Sequence, residues 1–311
     1  MYIHHYKKGL FLVLLLIGMP LFTHAQIKQD GHFITISASG GYSNFLNQIP
    51  NSQSVGNFGG SASIGYEFQK NFFFMTLGCD FSYLTSTTIL DDVTLSREGF
   101  DSEGDLVNFQ YGFYNFKDVQ RASYVSLPVA LGFKGNRFYG ALGVKVGLSV
   151  LGSENIKSNY TTVGVYEQFI DPFYNMPNHY YADYSSTAAT SLSFLPNISA
   201  TAELGVFLGK SHPVVKRKMK DVVRYKFGIF AEYGFSSIYL NSVGRQMITI
   251  DQLAIPEVTL KPFLASTNTS SYSINPLFVG VKFTVLFRVE SKESCHCLDK
   301  GKRRPRSSSK R

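Results

Sequence analysis

Between Ser126 and Ser149 the chain reads SLPVALGFKGNRFYGALGVKVGLS. Leu127, Val129, Leu131 and Phe133 share one parity, and after Gly135-Asn136 the alternation resumes with Phe138, Leu142, Val144, Val146 and Leu148. Period-two alternation broken by a tight turn predicts a β-hairpin. Six more runs of the same kind occur: Ile34 to Tyr42, Phe58 to Phe68, Phe73 to Tyr83, Ile198 to Leu208, Tyr225 to Phe235 and Leu277 to Val289. The apolar parity of all eight runs is free of charge. Eight strands, each with one wholly apolar face, must remove all those faces from water together, and a closed barrel does so.

Two barrels fit this pattern. A soluble, lipocalin-like barrel turns the apolar set inward, and a transmembrane barrel turns it toward lipid. Three features favour the membrane form. The opposite parity is crowded with Gly, Ala, Ser and Thr, as a narrow eight-stranded lumen requires. Aromatic residues stand near the ends of the apolar sets (Tyr42, Phe68, Tyr83, Phe133, Phe138, Tyr225, Phe235 and Phe287), where interfacial girdles lie. The links also alternate in length. Gln69-Lys70-Asn71 and Gly135-Asn136 are short, whereas the links after the first, third, fifth and seventh runs are long. Short periplasmic turns and long outer loops are the rule for outer-membrane barrels. The link from Gly209 to Asp221, with Lys216-Arg217-Lys218, is longer than that rule expects but falls on the periplasmic side.

The expected fold is therefore all-β, an antiparallel up-and-down transmembrane barrel of eight strands spanning residues 26–291. Closure is obligatory, because an open edge in hydrocarbon leaves backbone groups unpaired. Leu106 to Phe116 and Thr161 to Ile170 also alternate. They extend barrel strands above the membrane or, alternatively, make the barrel ten-stranded. Pro128 cannot donate to the ladder, which predicts a local bulge there.

The N-terminus fits export. Lys7-Lys8, an apolar run from Leu10 to Phe22 and Thr23-His24-Ala25 compose a signal peptide over residues 1–25. The apolar run is short for a spanning helix, which needs about 20 residues. The formal charge of +8 resides in this signal and in a basic tail, residues 292–311, expected to be disordered and periplasmic. The remaining chain is near neutral, so nucleic acid is not an expected partner. Outer-membrane lipids and the barrel-assembly machinery are expected partners, as is an extracellular or secretion-system protein.

Candidates for chemistry are few. His179 with Asp171, Asp183 and Ser185 would assemble a Ser/His/Asp set, but loop spacing fixes no geometry. Cys79 reads as a small apolar side chain. Cys295-His296-Cys297 reads as a local disulfide or free thiols rather than a metal site, since one tripeptide does not supply tetrahedral ligation. No enzyme activity, catalytic residue, cofactor or metal is expected. The organised polar feature is a set of luminal charges: Glu67, Asp80, Glu203 and Glu232 against Lys134, Lys145, Lys226, Lys282 and Arg137. An ion path is one reading. A paired network that fills the lumen is the favoured one, because buried charges must be paired.

YVSLPVALGFKGNRFYGALGVKVGL (Tyr124 to Leu148), FGIFAEYGFSSI (Phe227 to Ile238) and NPLFVGVKFTVLF (Asn275 to Phe287) resemble the PorT-like family of Bacteroidota outer-membrane β-barrels. The resemblance covers roughly Ile34 to Phe287. It implies an outer-membrane barrel, and for a few members a link to type IX protein secretion. Such barrels usually end near a terminal aromatic, whereas here a basic tail follows Phe287. The expected role is structural or in surface recognition through the outer loops. The alternatives are a part in secretion or transport, or a surface enzyme.

Overall fold

The structure, a computed structural model, describes residues 31–100, 104–135, 137–166, 180–208, 223–242, 244–250, 258–269 and 272–289. The signal, the basic tail, Lys216-Arg217-Lys218, His179 and the Cys295 tripeptide lie outside the described residues.

Twelve strands are present among the described residues: β1 (Gly31–Asn47), β2 (Ser52–Lys70), β3 (Phe73–Leu90), β4 (Val93–Phe100), β5 (Leu106–Lys134), β6 (Phe138–Val165), β7 (Tyr180–Ser191), β8 (Asn197–Leu208), β9 (Val223–Gly234), β10 (Ile248–Ile250), β11 (Val258–Leu260) and β12 (Ile274–Val289). Eight of them close a ring in the order β1-β2-β3-β5-β6-β8-β9-β12, with β12 returning to β1. Every pairing is antiparallel, and the eight ring strands are those that carry the eight alternating runs. At the seam Gly41 faces Gly280, and a Cβ on Gly41 would lie 2.2 Å from the Val279 carbonyl oxygen. The closing strands approach too closely there for any side chain.

The alternation faces outward. Leu131 and Leu142 are 64% and 70% exposed, while Glu67 and Lys145 inside the ring are 2% and 6% exposed. A soluble barrel would show the reverse. With its apolar face outside and its charges inside, the ring is a transmembrane β-barrel of the outer-membrane type. Phe133, Phe138, Tyr225 and Phe287 girdle its short-turn end, and Tyr42, Tyr83 and Phe235 its long-loop end. Cys79 faces outward among the apolar residues of β3.

β5 and β6 run 29 and 28 residues, far longer than the apolar band. Leu106 to Phe116 lies in β5 and Thr161 to Val165 in β6, so the first of the two readings of these segments holds. β4 pairs with β5 and β7 with β6 only in these extensions. The ring keeps eight strands, and a four-stranded sheet, β4-β5-β6-β7, stands on its long-loop end.

Two irregularities control what this extension points inward: on β5 the register shifts between Tyr114 and Lys117, so that Asp118 and Gln120 face in below it and Tyr111 and Phe113 above it, and on β6 it shifts at Val150. Tyr124 pairs with Ser149 and Ser123 with Leu151, leaving Val150 as an extra residue on β6. One inserted residue exchanges the two faces of everything beyond it. Below Val150 the odd positions of β6 face the lumen, whereas above it Glu154, Ile156, Ser158 and Tyr160 do. The bulge expected at Pro128 does not form. Pro128 pairs in register with Lys145 of β6, and on the β3 side the ladder lapses for two residues without shifting between Leu77–Val129 and Asp80–Ser126. A missing N–H here removes hydrogen bonding on one side only, with no inserted residue.

Candidate functional site: a lumen filled in three layers

The short-turn end of the lumen is floored by large side chains. Phe33, Phe74, Tyr139 and Leu286 are buried there. Tyr139 lies over the glycine pair Gly205–Gly228, where a Cβ on either would come within 2.7 Å of its ring or hydroxyl. Its hydroxyl donates to Glu203 Oε1 at 2.5 Å.

Above the floor is the layer of charges. Lys226 Nζ donates to Glu67 Oε2 at 2.6 Å and sits 4.2 Å from the Phe74 ring centroid and 4.9 Å from that of Tyr139. Thr76 and Gln69 donate to the same Glu67 carboxylate. Lys145 Nζ bridges Asp80 Oδ2 at 2.7 Å and Glu232 Oε2 at 3.0 Å, and Ser199 donates to Glu232 Oε1 at 2.9 Å. Lys282 Nζ pairs with Glu203 Oε2 at 2.8 Å. The four acids and three of the lysines expected in the lumen are thus joined. Lys134 donates instead to Gln69 Oε1 at 2.8 Å. Arg137 is corrected: it is exposed at the short turn before β6 and belongs to no luminal pair. Each described luminal lysine bonds a carboxylate or amide, which leaves it committed to its neighbours rather than to a passing ion.

The third layer is apolar. Above the charges, Phe45, Leu84, Tyr111, Phe113, Phe116, Ile156 and Tyr160 from the barrel wall pack against Val258, Leu260, Phe263 and Leu264. The latter belong to the link between β9 and β12, which folds back into the barrel mouth as the β10–β11 hairpin and a single helical turn, Phe263–Ser266. This segment is a plug, fastened at several points. Arg97 of β4 donates to the Ile250 carbonyl. Asn241 Nδ2 donates to the carbonyls of Ala265 at 3.0 Å and Thr267 at 3.1 Å, and its backbone N–H to Thr269 Oγ1 at 2.7 Å.

The other fastening is a pair of buried carboxyl groups. Asp118 Oδ2 accepts the Phe263 N–H at 2.7 Å, while Glu154 accepts the Leu264 and Ala265 N–H groups at 2.6 and 3.2 Å. These are the N–H groups at the start of a helical turn that no intrahelical carbonyl satisfies. The two carboxyl groups lie near enough for each to influence the other's titration. Burial raises both, and Glu154 is pushed up to about 10 by desolvation and by Asp118 beside it. Asp118 stands on the luminal parity of β5, with Gln120, Tyr124 and Ser126, whereas Glu154 does not stand on that of β6. Glu154 turns inward only because Val150 is inserted, and the adjacent apolar pair Val150-Leu151 is the trace that marks the insertion.

The Ser/His/Asp candidates are not brought together within the described residues. Asp171 and His179 lie outside them, and Ser185 is exposed on β7. Among the described residues no group of three His, Cys, Asp or Glu side chains is placed to hold a metal ion.

No family model matches the chain, and no curated protein matches it. Among solved structures it is similar to Ail, the attachment invasion locus protein of Yersinia pestis, in complex with the heparin analogue sucrose octasulfate. The identity is 11%, the match covers 82% of this chain and 98% of that one, and the TM-score is 0.24. The barrel assignment rests on this chain's own closed ring and outward apolar faces.

Proposed function

We propose that this protein is a non-conducting outer-membrane surface protein. The barrel serves as a rigid pedestal, and the raised β4-β5-β6-β7 sheet with its loops recognises a macromolecular partner outside the cell. The observation that carries this reading is the fill of the lumen. A floor of aromatic rings, a layer of paired charges and an apolar plug leave side chains where a conduit would need water. Sites on loops and raised edges held by a rigid scaffold are the usual place for recognition. Planar-bilayer recording of the refolded protein should give no stepwise conductance, and regular channel events would overturn the reading. Sidedness is tested in intact cells with an impermeant thiol reagent: Ser96→Cys on β4 should label and Arg137→Cys at the short turn should not.

A second reading is a component of a secretion system, in keeping with the PorT-like resemblance. Its three carrier segments all lie on ring strands, in β5–β6, β9 and β12. With the lumen filled, such a component would dock other proteins rather than conduct them. Deleting the gene and comparing secreted proteins separates the two readings, because a pure recognition protein leaves secretion unchanged.

A further inference from the structure

The outward face of the raised sheet carries a cluster of three cations, none of them in an ion pair among the described residues. Lys117 of β5 stands directly opposite Lys157 of β6, and Arg121 opposite Ser153 two pleat repeats lower. All three basic side chains are exposed or outward-facing, and none has an ion-pair partner among the described residues. Cross-strand partners place their Cβ atoms about 5 Å apart, and like charges so placed repel. The ladder positions beside them on β3, β6 and β7, namely Thr85, Thr87, Ile89, Asn155, Thr187 and Ala189, include no carboxylate. A repelling pair kept on an exposed sheet is relieved by a bound anion.

The height of the cluster narrows the anion. The apolar outward face of β6 ends at Leu151, which is exposed. At about 3.3 Å rise per residue and a strand tilt near 40°, Arg121, level with Ser153, lies about 5 Å beyond that edge, and Lys117 and Lys157 about 15 Å beyond it. Phospholipid phosphates lie at the first height only. Anions at both heights belong to a lipid that carries phosphate on its glycosidic core as well as at its base. We infer that Lys117, Arg121 and Lys157 form a binding surface for a phosphorylated glycolipid of the leaflet at the long-loop end. This inference rests on the proposal that this end faces outward, but binding in a nanodisc does not depend on which leaflet faces the medium.

The test refolds the full-length mature protein into nanodiscs and measures retention of added lipid. The probes are lipopolysaccharide, the same lipopolysaccharide after enzymatic dephosphorylation, and phosphatidylglycerol. The expected result is preference for the phosphorylated glycolipid over both others. Lys117→Gln/Lys157→Gln should weaken that binding roughly tenfold or more, the scale of two lysines meeting an anionic surface, and Lys117→Arg/Lys157→Arg should keep it. Heat-modifiable migration of each variant shows that it is folded. Equal retention of phosphatidylglycerol, indifference to dephosphorylation, or unchanged binding by the folded glutamine variant would each overturn the inference. The thiol-labelling experiment above separately decides which end faces out.

Discussion

One barrel has two interiors. Within the apolar band, above the aromatic floor, the inside is polar, with Lys145 held between Asp80 and Glu232 and Lys226 against Glu67. Above it, on continuations of the same strands, the inside is apolar, with Phe113, Phe116, Ile156 and Tyr160 packed on Phe263 and Leu264. The difference follows from what surrounds each region. Where lipid takes the apolar faces, the inside carries the charged groups that cannot meet hydrocarbon, closed off below by the aromatic floor. Where water surrounds the strands, the ordinary hydrophobic effect returns and the inside is dry. The lower region holds by ion pairing in a closed ring, the upper by packing of a plug. They should therefore respond to different perturbations.

The largest expected effect lies in the lower region. Lys145→Leu leaves Asp80 and Glu232 without their shared cation and should cost about 3–5 kcal/mol, as breaking a buried pair does. Urea unfolding of the protein refolded in lipid measures it. A variant as stable as the parent would remove the charge layer from the account. Leu142→Arg, on the lipid side of the same strand, should cost about 2–4 kcal/mol if it lies near the midplane. That substitution breaks the contrast between outside and inside.

In the upper region, Asn241→Ala should free the end of the plug and cost about 1–3 kcal/mol, because the Ala265 and Thr267 carbonyls lose their donor. Hydrogen exchange should show the loss as faster exchange over residues 258–269, with the ring unchanged. Slower or equal exchange there would mean that Asn241 does not hold the plug.

The same region should sense pH. Glu154 is raised above its unfolded value, so it binds a proton in the folded protein where the unfolded chain has none. Its contribution is then full below the ordinary carboxylate range and is lost as pH rises from there toward about 10. Protection from exchange over residues 258–269, corrected for the intrinsic pH dependence of amide exchange, should fall across that window in the parent, and Glu154→Gln should flatten the dependence. Protection that does not change with pH in the parent would contradict the raised Glu154 carboxyl. The smallest expected effect is Ala141→Ser, facing the lumen, which should stay within about 0.5 kcal/mol.

The eight ring strands and the luminal charges were legible because one register runs through the stretch of each strand that carries those charges. Glu67, Asp80, Glu203 and Glu232 stand on the polar parity and meet lysines on it. Reading failed where that premise failed. Past Val150 the faces exchange, so Glu154 looks outward in a continuous reading and inward in the fold. Phe33, Phe74 and Tyr139 went unnoticed as luminal because they are aromatic residues on an otherwise small and polar face. Their places depend on space left by Gly205, Gly228 and neighbouring strands, which is a tertiary fact. The plug was hidden for a similar reason. PFLAS, from Pro262 to Ser266, makes a helical turn whose first N–H groups are satisfied by Asp118 and Glu154, more than a hundred residues away.

The most direct test of the two-interior account is an environment-sensitive label read along neighbouring positions, in a background with Cys79, Cys295 and Cys297 changed to serine. Single cysteines at Leu142 and Val129 face outward, and at Ala141 and Ser126 inward. In bilayers containing a chain-brominated quencher, labels at Leu142 and Val129 should be quenched strongly and labels at Ala141 and Ser126 weakly or not at all. Equal quenching at both parities, or stronger quenching at Ala141 and Ser126, would contradict it.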